Sequence, residues 1–371
     1  MRILVFNPSY PPVPCGIGDY NRGLATALAQ AGHDVTVVTA ASDAIATDGP
    51  PQVLPILQDW GVRDFLRARA RFGRPRPDLV VSGYPSVMPG RYARLLFLLP
   101  GLAKVALGRP RTTFIVHEFV RTGETERRLL RLAFRCSDRI IAVTEAERDA
   151  LVARYPTAAR RTEVVHNAPT IPAVAPDPAA QALTRTGLAP PERPLFAYFG
   201  LLKTPDKGFD DLLAAVATTD AVLAVTGSLD PSSDYHAEVA AHIEALGLGE
   251  RVRWLGYLDD EEVGRLLRSA DAVALPFRGG AESGYTSLLA ALVNGAAVVT
   301  TRGAENPDWL RDGETALLVE PSDPDGLAMA LRRVLEEPGL AARIRAGAER
   351  LPFGWEAIAE AVTAPARSKP Q

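Results

Sequence analysis

The chain has 371 residues, 47% hydrophobic and 23% charged, the balance of an ordinary globular protein with length for roughly two or three domains. Its two cysteines, Cys15 and Cys136, exclude a disulfide framework and show no zinc-ligand spacing, so a reducing compartment is expected. The net charge of −3 conceals an asymmetry: residues 61–140 hold 17 Lys and Arg against 6 Asp and Glu, an excess of eleven positive charges, which leaves fourteen negative charges elsewhere.

A basic block of that size makes an anionic partner or an anionic membrane surface a candidate, with solvated helix faces as the plain alternative. The start, MRILVFNPSYPP, has too short an apolar run for a signal peptide. The greasiest stretch, Leu95 to Leu107, is broken by Pro100-Gly101 and carries Lys104, well short of the ~20 residues that span a bilayer. The expectation is a cytoplasmic protein, soluble or peripheral at the inner membrane face.

In chain order, Arg2 to Phe6 reads as a buried strand. The loop Asn7 to Gly18 follows, ending in Gly16-Ile17-Gly18, with Asp19 as cap of a helix Tyr20 to Ala31. Asp34 to Thr39 is the second strand, which completes the first half of a doubly wound α/β fold. GxG is a weak signal, and without GxGxxG a dinucleotide site is disfavoured. Further strands fit at 79–82, 112–116, 139–143 and 163–165. Helices 65–72 and 91–99 carry much of the basic charge, and on them Leu and Phe share the surface with Arg, as in a helix lying on anionic lipid or one packed on a sheet with its arginines outward. His117 follows a strand end, where open α/β sheets bind ligands, although a lone histidine is more often structural.

Prolines punctuate residues 169–193, which read as a linker with at most one short helix. The alternation then restarts. Strand Leu195 to Phe199 leads into the loop GLLKTPDKG and a helix 209–216, and strand 221–226 ends at Gly227. Helix 236–246, strand 251–255 and helix 260–269 follow. Strand 272–275 then gives way to a glycine-rich loop, Arg278 to Gly284. Thr286 and Ser287 suit the N-cap of a helix 288–293, ended by Asn294-Gly295, and 296–300 is the next strand. Such a loop aims backbone N–H groups and a positive helix end at one point, where a phosphate fits; an ordinary βαβ turn is the alternative. Strand 316–319, helices 323–336 and 340–351, and a last helix 355–362 complete the chain. The fold class is therefore α/β: two Rossmann-like, doubly wound parallel-sheet domains facing a cleft, over residues 1–168 and 194–351, with 352–371 as a final helix and tail.

Four stretches carry a resemblance: PPVPCGIGDYNRGLATALAQAGHDVTVVT, FGLLKTPDKGFDDLLAA, VRWLGYLDDEEVGRLLRSADAVALPF running into ESGYTSLLAALVNGAAVVTTRG, and DGETALLVEPSDPDGLAMAL. In this order they resemble the GT-B glycosyltransferases of family 4, the retaining, nucleotide-sugar-dependent group. Asn167 is similar to the family's "HNG"-like exit from the first domain, and the helix around Trp355 to its crossover back to that domain. The resemblance implies a retaining, metal-independent hexosyltransferase that uses a UDP-sugar before a GDP-sugar. It implies an acceptor hydroxyl in glycan, glycolipid or natural-product biosynthesis. It calls for no cofactor, since the donor is a substrate, and for no nucleic-acid partner.

The resemblance also assigns roles. Gly16 lies on the loop facing the donor diphosphate, His117 meets the donor sugar near the reacting carbon, and Lys207 holds the diphosphate. Glu282, the first Glu of E-x7-E, approaches the sugar hydroxyls. The amides of Tyr285, Thr286 and Ser287 meet the diphosphate at a helix end. Gly18, Gly200, Lys203, Gly227, Tyr257, Ser283 and Gly284 fall on donor-binding loops. Two positions depart from the pattern. The second Glu of the motif is replaced by Ala290, and the arginine often found after the glycine of the "G-R…KG" loop by Leu201, with Lys203 or Arg278 as candidate replacements for the missing charge. These losses motivate a second reading, a nucleotide-binding module or pseudo-glycosyltransferase without sugar transfer.

Overall fold

A computed structural model describes residues 1–365 except 13, 14, 48, 86, 89, 90, 93, 121, 203 and 352. The chain divides into two compact units, Met1–Ala168 with Gly354–Gln371, and Pro169–Phe353.

The first unit opens with β1 (Arg2–Phe6), α1 (Gly16–Gln30), β2 (Asp34–Ala40), β3 (Gln52–Leu57), α2 (Val62–Phe72) and β4 (Leu79–Tyr84). A short antiparallel pair, β5 (Val87–Met88) and β6 (Arg91–Tyr92), precedes α3 (Arg94–Ala106), β7 (Arg111–Val116), α4 (Glu124–Cys136), β8 (Arg139–Ala142), α5 (Glu145–Arg154) and β9 (Thr162–Val164). Among the described residues the main sheet has the order β3-β2-β1-β4-β7-β8-β9 and is parallel throughout. Such a sheet buries both faces, which is why β1 reads as an apolar run after Arg2 and why β2 buries Thr36 and Thr39 along with its valines. On one face Ile3, Val5, Val35 and Val37 pack with Tyr20, Leu24 and Leu28 of α1. On the other, Leu4, Phe6 and Val38 meet Phe65 and Phe72 of α2 and Leu95 and Leu99 of α3. Phe114 and Val116 on that same side meet Leu130 and Phe134 of α4.

The second unit contains α6 (Pro178–Leu188), β10 (Leu195–Tyr198), α7 (Phe209–Ala217), β11 (Val222–Val225), α8 (Asp234–Ala245), β12 (Val252–Trp254), α9 (Asp260–Ser269) and β13 (Ala272–Leu275). Then come α10 (Thr286–Val293), β14 (Val298–Thr301), β15 (Leu317–Val319), α11 (Pro324–Glu336) and α12 (Leu340–Ala348). Its sheet runs β12-β11-β10-β13-β14-β15, parallel in every pairing, around one apolar core. Local chemistry explains several boundaries. Asp259 and Glu262 form a reciprocal capping box at α9, and Ser233 and Asp323 cap α8 and α11, so these helices start at or near the expected points.

The last helix, α13 (Trp355–Thr363), belongs to the first unit. It lies against α1 so closely that a Cβ on Gly23 would stand 2.3 Å from the Trp355 ring. Ile358, Ala359 and Val362 complete the core that Ile3 and Val5 began.

Several local expectations are corrected. Helix α1 begins at Gly16, with Cys15 at the N-cap position but making no side-chain capping bond, so Gly16-Ile17-Gly18 forms its first turn and Asp19 sits inside the helix. The edge strand β3 carries Pro55 and alternates poorly, and it escaped the sequence pattern. Helix α6, which lies in the proline-rich segment, packs on α9 as part of the second unit. Helix α10 starts at Thr286 with Tyr285 as N-cap, so Thr286 and Ser287 are its first turn rather than its cap.

Candidate functional site

In the order β12-β11-β10-β13-β14-β15 the chain winds outward from β10 in one direction and from β13 in the other. That switch point opens at the carboxyl ends of β10 and β13, where loops diverge and a ligand has room. The two loops that leave these strands, 199–208 and 276–285, carry most of the residues singled out from the sequence.

Lys207 ends a short 3-10 turn, Pro205–Lys207. Gly208 follows in the left-handed region, and a Cβ there would stand 1.8 Å from the Pro276 carbonyl, so only glycine lets the two loops touch. The Lys207 ammonium lies 4.8 Å from the ring centroid of Tyr285 and 5.5 Å from that of Phe277. Those two rings are tilted against each other at 4.2 Å. Asp206 Oδ2 is 3.6 Å from the ammonium. The Tyr285 hydroxyl donates to Glu282 Oε1 at 3.2 Å, and the Tyr285 N–H donates to the Glu282 carbonyl at 3.1 Å. Lys207, Tyr285 and Glu282 therefore form one connected group. Gly200, at φ 153°, comes within 3.7 Å of the Ser287 side chain when given a Cβ, which joins the first loop to the start of α10. Among the described residues no side chain caps α10; the Leu288 N–H donates to the Tyr285 carbonyl at 3.0 Å, and the N–H groups of Thr286 and Ser287 have no intrahelical acceptor. The Tyr285 N–H, assigned by the resemblance to the diphosphate, is instead part of the turn that holds Glu282.

Other residues fall differently. Gly227 pairs with Gly256 through two backbone hydrogen bonds of 2.7 and 3.0 Å, which places Tyr257, 76% exposed, beside the end of β11. Ser283 is buried and Gly284 partly so. Lys203 lies outside the described residues. Arg278 is no spare cation, since its guanidinium pairs with Asp210 at 3.5 Å and Asp211 at 3.3 Å on α7, and its N–H donates to the Asp206 carbonyl. Ala290 is fully buried in the apolar core, while Leu201 is exposed.

Sequence reasoning missed His236. The Asp230 N–H donates to its Nδ1 at 2.7 Å, which leaves Nε2 to carry the proton and donate to the Leu202 carbonyl at 2.5 Å. The ring thus ties the loop after β10 to the loop after β11. Asn306 was missed as well. Its amide donates to the Ala281 carbonyl while its carbonyl accepts from Gly303, steadying the segment before Glu282. Neither belongs to a recognisable spacing.

In the first unit, His117 stands at the end of β7, its N–H bonded to the Tyr84 carbonyl at 2.8 Å. Its ring meets Tyr20 edge-on at 4.6 Å, and Tyr20 in turn meets Trp355 at 5.2 Å. Loss of solvation pushes the His117 pKa down to about 4, so the imidazole is neutral at pH 7. Gly18 packs its α-carbon face against the Ser9 backbone, and a Cβ would come within 3.3 Å. Gly16 is exposed with open space beside it. The Asn7 amide nitrogen and the Tyr20 hydroxyl are buried without a hydrogen-bond partner among the described residues.

Two parallel α/β units, the second with a lysine and an uncapped helix start at its switch point, define the GT-B class. A model of group 1 glycosyl transferases matches residues 182–351, and a model of glycosyltransferase family 4 matches residues 14–168. Between them the two glycosyltransferase models span most of the chain, one for each half. The chain is 31% identical over 247 residues to a D-inositol 3-phosphate glycosyltransferase of Nocardioides sp., a match covering 59% of this chain and 51% of the relative. The chain thus spans about half the length of these first curated relatives. It is 28% identical to the glycogen synthase of Mycobacterium tuberculosis over 97% of this chain and 93% of that one. Among solved structures, Anabaena HepE in complex with UDP and glucose superposes with a TM-score of 0.76 at 20% identity, covering 98% of both chains. Sucrose-phosphate synthase from Thermosynechococcus elongatus superposes at 0.71 and 21% identity, covering 97% and 96%. Among the described residues, no helix is long and apolar enough to cross a membrane.

Proposed function

We propose that this protein is a retaining glycosyltransferase that moves a hexosyl group from a nucleotide-sugar, a UDP-sugar first and a GDP-sugar next, to an acceptor hydroxyl. One observation carries the reading: the Lys207 ammonium lies against the packed rings of Phe277 and Tyr285, and Tyr285 in turn is bonded to Glu282 and stands at the start of α10. Departure of a nucleoside diphosphate builds negative charge on the β-phosphate. A cation and helix-end amides fixed in advance stabilise that charge most in the transition state. Glu282 accepts hydrogen bonds from sugar hydroxyls, and its tie to Tyr285 fixes its direction. The sugar carbon gains oxocarbenium-like charge as the bond lengthens. His117, neutral at pH 7, takes the sugar-side role by hydrogen bonding rather than as a cation. The two glycosyltransferase model matches and the UDP and UDP-glucose bound by the structurally similar HepE favour uridine donors. In this reading the protein groups stabilise the leaving diphosphate without a metal ion, and turnover persists in EDTA.

The test is turnover of a donor panel by purified protein, read as released nucleoside diphosphate. Transfer with retained anomeric configuration, lost in Lys207→Ala and His117→Ala, is the expected result. No turnover on any donor, with nucleotide binding intact, favours the second reading of a nucleotide-binding pseudo-glycosyltransferase, which the apolar Ala290 and exposed Leu201 motivate.

A further inference from the structure

Helices α2, α3 and α4 lie side by side on one face of the first unit's sheet, since Phe65, Leu95 and Leu99 share one apolar cluster there and Phe97, Leu130 and Phe134 share the next. Their outward side is unusual for a solvated surface. On α4 the buried residues are Leu130, Ala133 and Phe134, so the opposite arc presents Arg128, Leu129, Arg131, Leu132 and Arg135. Leu129 and Leu132 are each 45% exposed, one helical turn apart. Val105 on α3 is 87% exposed, and Leu66 on α2 is 48% exposed beside Arg63 and Arg67. Arg128 is paired with Glu124, but Arg131 and Arg135 have no carboxylate partner among the described residues.

A face meant only for water gains nothing from exposed leucines, and one meant only for a polyanion gains nothing from them either. Cations interleaved with apolar side chains fit a surface that is charged outside and greasy a few ångströms in. We propose that the outer side of α2–α4, centred on Leu129, Leu132, Arg131 and Arg135, docks on an anionic lipid bilayer. The arginines meet headgroup phosphates, and the two leucines enter the acyl boundary. The surface lies wholly within the first unit, so this inference stands or falls apart from the reading of the second unit.

The experiment is co-sedimentation of the full chain with vesicles of phosphatidylglycerol and phosphatidylcholine, against phosphatidylcholine alone, at low and high salt. Binding to the anionic vesicles alone, weakened but not abolished by salt, is expected, because screening removes the charge term and leaves the apolar one. Each arginine reversed should lower the partition coefficient about fivefold or more, so Arg131→Glu with Arg135→Glu loses about twenty-fivefold or more. Leu129→Ser with Leu132→Ser should make the remaining binding fully salt-sensitive. All four side chains are exposed, and circular dichroism checks that the variants fold; Arg67→Glu on α2 is the substitute if they do not. The inference is overturned by absence of sedimentation at low salt, or by binding that both double variants leave unchanged. It is equally overturned if Leu129→Ser with Leu132→Ser dissolves a dimer of this chain that ignores vesicles. Retention on duplex RNA at the vesicle affinity, with the leucine variant indistinguishable, would mark a polyanion site instead.

Discussion

The Lys207 ammonium and the Tyr285 ring are 4.8 Å apart, although 78 positions of chain separate them. The contact brings the loop after β10 onto the loop after β13, and it aims a cation without a long flexible reach. Ring faces attract an ammonium while leaving its N–H bonds to other acceptors. Lys207→Ala should weaken UDP binding about tenfold to a hundredfold, the worth of one charge-assisted hydrogen bond, as read by titration calorimetry. Tyr285→Leu should give a smaller loss, because the charge stays while its direction is freed.

Gly208 is the position where the two loops can least tolerate a side chain. With Pro276 O at 1.8 Å from a notional Cβ, Gly208→Ala must push the loops apart or leave the left-handed conformation. We expect a loss on the order of 3 kcal/mol or more in stability, seen as a lower Tm, together with loss of UDP binding.

His236 is expected to act on donor affinity without touching the donor. His236→Leu deletes both hydrogen bonds and strands the Leu202 carbonyl, at a cost of about 1–3 kcal/mol. Steady-state kinetics should show KM for the donor raised several-fold with kcat little changed. A change in kcat alone would contradict this positioning role.

His117 predicts a pH dependence of stability. Its folded pKa of about 4 lies below the unfolded value near 6.5, so the unfolded chain binds the extra proton between these limits. Stability therefore rises with pH across that window and falls on acidification, by at most about 3 kcal/mol from this group. His117→Gln should flatten the fall in Tm between pH 6.5 and 4 relative to the parent. An equal slope in both proteins would show that His117 is not the responsible group.

Much of the fold was legible because parallel strands buried on both faces write themselves as short apolar runs. Arg2–Phe6, Leu195–Tyr198 and Ala272–Leu275 stand out for that reason. Strand β3 did not, since Pro55 and partial exposure blur it. Helix starts were legible where a side chain caps them, as at Asp259, and shifted where none does. Gly16 and Thr286 begin helices without side-chain caps, and Asp19, Thr286 and Ser287 looked like caps by type alone. Within the second unit, Lys207, Glu282 and Tyr285 were readable through the resemblance, and the structure brings them together. Arg278 looked like a spare cation because the sequence does not show that Asp210 and Asp211 face it across two loops. His236 and Asn306 were invisible for a related reason. Each bonds backbone atoms of loops remote in the chain, and no spacing rule encodes such a partner.

Trp355 resting on Gly23 has a bearing on synthesis. The second unit is one continuous stretch and is complete once its own residues have left the ribosome. The first unit is interrupted: its opening 168 residues emerge early, but the helix that covers Tyr20 and Leu24 arrives only after the whole second unit has been made. A nascent chain therefore carries a bare apolar stripe through most of its translation, and that stripe is where a chaperone would have its opportunity.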